Sequence, residues 1–99
     1  MSLLITQPEM LAAAASDLAG IGSTTAAANA AAASPNTEVV RAAADEVSAR
    51  TAAQCATHTQ MYRAVSAQVV AVHEMFVTTL GTGVGPYAAT DAANAAAIG

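Results

Sequence analysis

Most large apolar side chains fall into two blocks along this chain, Leu3 to Ile21 and Val39 to Leu80. Between them, Ala26 to Ala33 offers only alanine and a single Asn29. In the first block Leu11, Ala14, Leu18, Ile21, Thr25, Ala28 and Ala32 recur at three- and four-residue intervals, the spacing of one helical face. In the second, Cys55, His58, Tyr62, Val65, Val69, Val72, Phe76 and Thr79 step in the same way. Met61, Val65, Gln68, Val72 and Met75 form a second stripe beside them. The pattern predicts two helices. One narrow stripe serves one neighbour, whereas two adjacent stripes opposite a helix thin in large side chains imply that another protein covers the surplus.

Boundary signals place the helices. Thr6 and Glu9 have the spacing of a capping box, Pro8 falls in the first turn, and Ile5 with Met10 can form a hydrophobic staple, so helix 1 is expected over about 7–34. Gly20 and Gly22 each weaken its middle by roughly 1 kcal/mol, a cost that close approach to a neighbouring backbone would offset. Ser34-Pro35-Asn36-Thr37 reads as a break, followed by a loop over about 35–44. Helix 2 starts between Glu38 and Asp45 and is assigned to about 45–80, where the glycines and proline of Gly81 to Pro86 read as its end. Residues 81–99 are then a flexible tail. The expected fold is a single all-α domain, an elongated antiparallel two-helix hairpin.

Composition narrows what such a hairpin can do. Alanine occupies 29 of 99 positions, so the 55% hydrophobic content overstates the core, because alanine removes little area from water. Charged residues make up 10%, well below the roughly 25% of an ordinary soluble domain. The net charge is -4 with only Arg41, Arg50 and Arg63 basic, which argues against a nucleic-acid partner. The amino terminus lacks the basic region and long apolar stretch of a cleavable signal peptide, so export needs another route. Leu18 to Thr37 has the length of a membrane span but carries glycines, hydroxyl side chains, Asn29 and Pro35, and a span is not expected there.

Candidate chemistry is sparse. Cys55 and His58 are one turn apart, but two ligands do not make a zinc site, and His73 lies roughly 22 Å from His58 along a straight helix. The glycines of Gly81 to Gly85 follow a helix and lack the Lys-Ser/Thr ending of a phosphate loop. Neither catalytic residues nor a cofactor or metal site is assigned. Tyr87 and Asp91 are more informative, since a four-residue separation puts a phenol and a carboxylate on one helical face that a receptor could read.

Pro8-Glu9 near the amino terminus, Asp45-Glu46-Val47-Ser48, His73-Glu74-Met75-Phe76-Val77 and Tyr87-Ala88-Ala89-Thr90-Asp91, on a helical hairpin of this length, resemble the mycobacterial PE family. The resemblance covers residues 1–99 as a single PE domain, similar to members associated with the ESX-5 system. It implies a heterodimer with a PPE-family protein in which two hairpins form a four-helix bundle. It implies export by type VII (ESX) secretion through a Tyr-x-x-x-Asp signal that maps onto Tyr87 and Asp91. An EspG-type chaperone would then act indirectly, through the PPE subunit. Arg41 stands where similar members often have proline, and Cys55 where they often have an aromatic residue. The latter is a smaller knob that a larger residue on the partner could match.

The expected role is therefore an exported structural and interaction subunit, secreted or held at the cell envelope after cytosolic assembly. Leu11, Leu18, Ile21, Val47, Met61, Val65, Val69, Val72 and Phe76 are its expected core or partner-interface residues. The alternative is a membrane-active or pore-forming envelope component involved in solute uptake. An enzyme acting through Cys55 and His58 would have to be built largely by another chain.

Overall fold

The computed structural model describes residues 4–40 and 42–99. Arg41 lies outside the described residues. Two long helices pack as a hairpin, α1 (Pro8–Thr37) and α2 (Glu46–Ile98), and no strand occurs among the described residues. Cross-helix hydrogen bonds fix the antiparallel sense, since partners rise in number along α1 as they fall along α2: Thr6 with Asp91, Leu18 with His73, Asn29 with Tyr62, and Asn36 with Thr59.

The chain divides into two compact units, each pairing one segment of α1 with one of α2. The first joins the chain up to Gly22 with His73–Gly99, and the second is Ser23–Val72. In the first unit the contact face of α1 carries Leu11, Ala15, Leu18 and Gly22, at steps of four, three and four. On α2 it carries His73, Val77, Leu80 and Val84, again at alternating steps. This 3.5-residue rhythm keeps one seam facing a neighbouring helix. In the second unit the seam is nearly devoid of large side chains: Ala52, Ala56, Thr59, Ser66 and Val70 of α2 are half-buried, as are Asn29, Ala32 and Ala33 of α1. Polar contacts hold it. The Tyr62 hydroxyl donates to Asn29 Oδ1 at 3.0 Å, and the Thr59 hydroxyl shares its proton between the Cys55 carbonyl of its own helix at 2.9 Å and the Asn36 carbonyl of α1 at 3.1 Å. Asn29 thus anchors the alanine tract that has no large side chain of its own.

Several boundaries differ from those the sequence predicts. α1 runs on to Thr37, past the break expected at Ser34-Pro35. Pro35 lacks the N–H that would reach the Ala31 carbonyl, but this is one lost bond near an exposed helix end, and the Glu38 amide still donates to the Ser34 carbonyl at 2.9 Å. α2 begins at Glu46, with Asp45 as its cap: the Ser48 amide donates to Asp45 Oδ1 at 2.8 Å and the Ser48 hydroxyl to Oδ2 at 3.0 Å.

The larger correction concerns Gly81 to Pro86. These residues do not end helix 2, because α2 continues through them to Ile98, and 81–99 is helix instead of a flexible tail up to that residue. Three glycines cost roughly 1 kcal/mol each and an interior proline about 3. Packing against α1 offsets that cost, since Leu80 and Val84 are half-buried and Asp91 is tied to Thr6.

Candidate protein interaction surface and terminal motif

α2 buries one face in the hairpin and leaves the opposite apolar positions uncovered. In the unit Ser23–Val72, Met61, Val65, Val69 and Val72 are each more than half exposed. In the other unit Met75 and Phe76 are 69% and 54% exposed. Apart from Tyr62, whose hydroxyl reaches back to Asn29, the large apolar residues of both stripes read from the sequence therefore lie outside the intrachain seam. In the unit Ser23–Val72 the seam is a third stripe, of small and polar side chains, whose composition resembles a solvated face and which hydrophobicity alone does not reveal. Ala52, Ala56, Thr59, Ser66 and Val70 do share a helical spacing, but nothing in their side chains sets that face apart from a solvated one.

The expected core or partner-interface residues separate into two groups. Leu11 and Leu18 are half-buried in the hairpin seam, whereas Ile21, Val47, Met61, Val65, Val69, Val72 and Phe76 are exposed. Among the described residues only Ala15 is a buried hydrophobic residue.

At the start of α1 the expected capping box is replaced. In that motif Glu9 would accept the Thr6 amide, but here Asp91 takes it: Asp91 Oδ2 accepts from the Thr6 amide at 3.1 Å and from the Thr6 hydroxyl at 2.6 Å. Pro8 is the first helical residue, and the Gln7 carbonyl accepts from the Met10 and Leu11 amides. Tyr87 lies one turn before Asp91 on α2 and is 52% exposed. A methyl group added at Gly83 would stand 3.9 Å from both Leu11 Cδ2 and Tyr87 Cε2, so the ring of Tyr87 lies back along the helix near α1.

The residues weighed for chemistry stay apart. Cys55 and His58 are exposed, and Tyr62 of the same stripe bonds to Asn29. His73 is half-buried, with Nε2 2.6 Å from the Leu18 carbonyl oxygen. Since a carbonyl only accepts, that nitrogen carries the proton. No group of three or more His, Cys, Asp or Glu side chains suited to a metal ion occurs among the described residues.

Comparison with known proteins adds an independent finding. The profile of the PE family matches residues 4–94. The chain is similar to PE family protein PE13 of Mycobacterium tuberculosis, 59% identical over 97 residues and covering 98% of each. It is also similar to PE-PGRS family protein PE_PGRS33 of that organism, 58% identical over 98 residues, which are 99% of this chain and 20% of that protein. For PE-PGRS family protein PE_PGRS8, also of M. tuberculosis, the identity is 54% over 98 residues, 99% of this chain and 56% of that protein. The chain thus spans nearly all of one relative and only part of the other two.

Proposed function

The chain belongs to the PE family, and on that premise we propose that it is a non-enzymatic subunit that pairs with a PPE-family protein and is exported with it by type VII secretion. The observation that carries this reading is the uncovered apolar face of α2, on which Met61, Val65, Val69, Val72 and Phe76 stand exposed. With Ala15 the one buried hydrophobic residue among those described, the hairpin lacks the means to hide that face itself. A second hairpin laid along it would complete a four-helix bundle and cover Ile21 and Val47 as well.

Tyr87 and Asp91 are the proposed export signal, read by the ESX machinery. The ESX-5 system is the proposed route, with an EspG-type chaperone engaging the PPE subunit. The assembled pair would leave the cytosol for the cell envelope or the medium. The test is co-expression with candidate PPE proteins: soluble, stoichiometric co-purification with one of them supports the reading, and failure with all of them removes it.

A second reading, a membrane-active envelope component, has one feature in its favour. Among the described residues α2 is the one helix long and apolar enough to cross a membrane by length and composition. The same exposed face is what a partner helix would cover, so the feature does not select a membrane. Dye leakage from liposomes caused by the purified pair would favour this second role.

A further inference from the structure

Tyr87 and Asp91 share a helical face, yet the structure treats them differently. The Tyr87 ring is half exposed, whereas Asp91 is half-buried and has one oxygen occupied by Thr6, 85 residues earlier in the chain. We propose that Thr6 is a positioning residue for the terminal motif: by clasping Asp91 it holds the turn that displays Tyr87 folded against the start of α1. The proposal rests on the reading of Tyr87 and Asp91 as the export signal.

That end of α2 needs a clasp. Beyond Pro86 the helix has only two large apolar side chains, Tyr87 and Ile98, and both are about half exposed, so burial contributes little to holding its last turns. Pro86 also removes one helical hydrogen bond just before the motif. Asp91 meets both needs with one oxygen. It accepts a charge-assisted bond of 2.6 Å from the Thr6 hydroxyl, and it takes the Thr6 amide, a donor beside the amino-terminal end of α1 where negative charge is favoured. A receptor therefore meets Tyr87 in a fixed orientation, next to a carboxylate already engaged within the chain. Thr6 belongs to the signal although it lies at the other end of the sequence.

The experiment uses the full chain, expressed in a mycobacterial host and purified from the cytosol with whatever it binds. Hydrogen exchange over residues 86–98 is read beside the secreted fraction. Thr6→Val keeps the side-chain shape and removes the hydroxyl, so overall helicity should hold while exchange over 86–98 becomes about tenfold faster. Secretion should fall several-fold, and Thr6→Ser should restore both readouts. Asp91→Ala, which also frees the amide, should act more strongly than Thr6→Val. Tyr87→Ala should lower secretion without changing exchange. Wild-type exchange in Thr6→Val would overturn the clasp, and fast exchange with full secretion would overturn its positioning role. Normal secretion of Tyr87→Ala would instead overturn the signal reading, an outcome that exchange in the Thr6 variants keeps separate.

Discussion

His73 puts its imidazole where a side chain at Gly22 would have to go: a Cβ built on Gly22 would stand 2.7 Å from His73 Nε2 and 2.8 Å from Cδ2. The same nitrogen is 2.6 Å from the Leu18 carbonyl oxygen, so the ring is held in place and cannot swing aside without giving up that bond. Gly22→Ala should therefore destabilise the hairpin by about 1–3 kcal/mol, the usual cost of overpacking. Gly20, two residues away, has nothing within 4 Å of an added Cβ, and Gly20→Ala should stabilise α1 by up to about 1 kcal/mol. Thermal melts of the two variants followed by circular dichroism should shift in opposite directions. A shift of the same sign would mean that His73 does not occupy that space.

The two faces of α2 should respond separately to truncation. Phe76 is exposed in the chain and Leu80, one turn on, is half-buried against α1. Phe76→Ala should weaken partner binding by about 1–3 kcal/mol, roughly five- to 150-fold in affinity, while leaving helicity and the position of the seam unchanged. Leu80→Ala should lower the melting temperature of the hairpin first. Calorimetric titration and melting curves on both variants decide the matter, and equal affinity after Phe76→Ala would take that residue out of the interface.

Expressed alone, the chain should self-associate, because Met61, Val65, Val69, Val72 and Phe76 would remain in water. Sedimentation velocity across a concentration series should show mass rising with concentration. A sharp cooperative melt of a demonstrated monomer would count against the whole partner argument.

The hairpin and its outward apolar face were legible because Val65, Val69, Val72 and Phe76 repeat at helical spacing and are too large to be accidental on a thin helix pair. The inner seam was not, since Ala52, Ala56, Thr59 and Ser66 look like surface residues and only the fold half-buries them. Thr6 was read as a local cap because Glu9 sits three residues on. Asp91, the acceptor that takes its place, is adjacent only after folding. The run from Gly81 to Pro86 shows the limit of local propensity: its cost is real, but Leu80, Val84 and Asp91 make contacts that a window of sequence does not weigh.

Asp45 links α2 to pH. Its carboxyl titrates below the ordinary value of 3.8, chiefly because the Ser48 amide, and then the Ser48 hydroxyl, donate to the ionised form. A carboxyl depressed in the folded state stabilises fully above its unfolded value, and that contribution is lost as pH falls through the lower folded value. The first turn of α2 should therefore loosen on acidification below about pH 3.8. Asp45→Asn, which caps comparably but does not titrate, should lack this step. The Ser48 amide resonance followed against pH in both proteins would show it, and an identical acid transition in the Asn variant would assign the loosening elsewhere.

Pro86 tests whether the last third of α2 is a helix or a joint. Inside a helix its ring crowds the Thr82 carbonyl and leaves that group without its donor, at a cost of about 3 kcal/mol relative to alanine. Pro86 is exposed, so water can reach the freed carbonyl, which is one reason the helix tolerates it. Pro86→Ala should restore the bond and slow hydrogen exchange over residues 82–98. In a true joint the substitution would restore no bond, and exchange would stay fast in both proteins. Secretion adds a second discrimination. If the export machinery reads Tyr87 on a folded turn, the stiffened variant should be secreted at least as well as the parent. Slower exchange with a loss of secretion would mean that the motif is taken up in an opened form, and that the clasp between Thr6 and Asp91 must release before export.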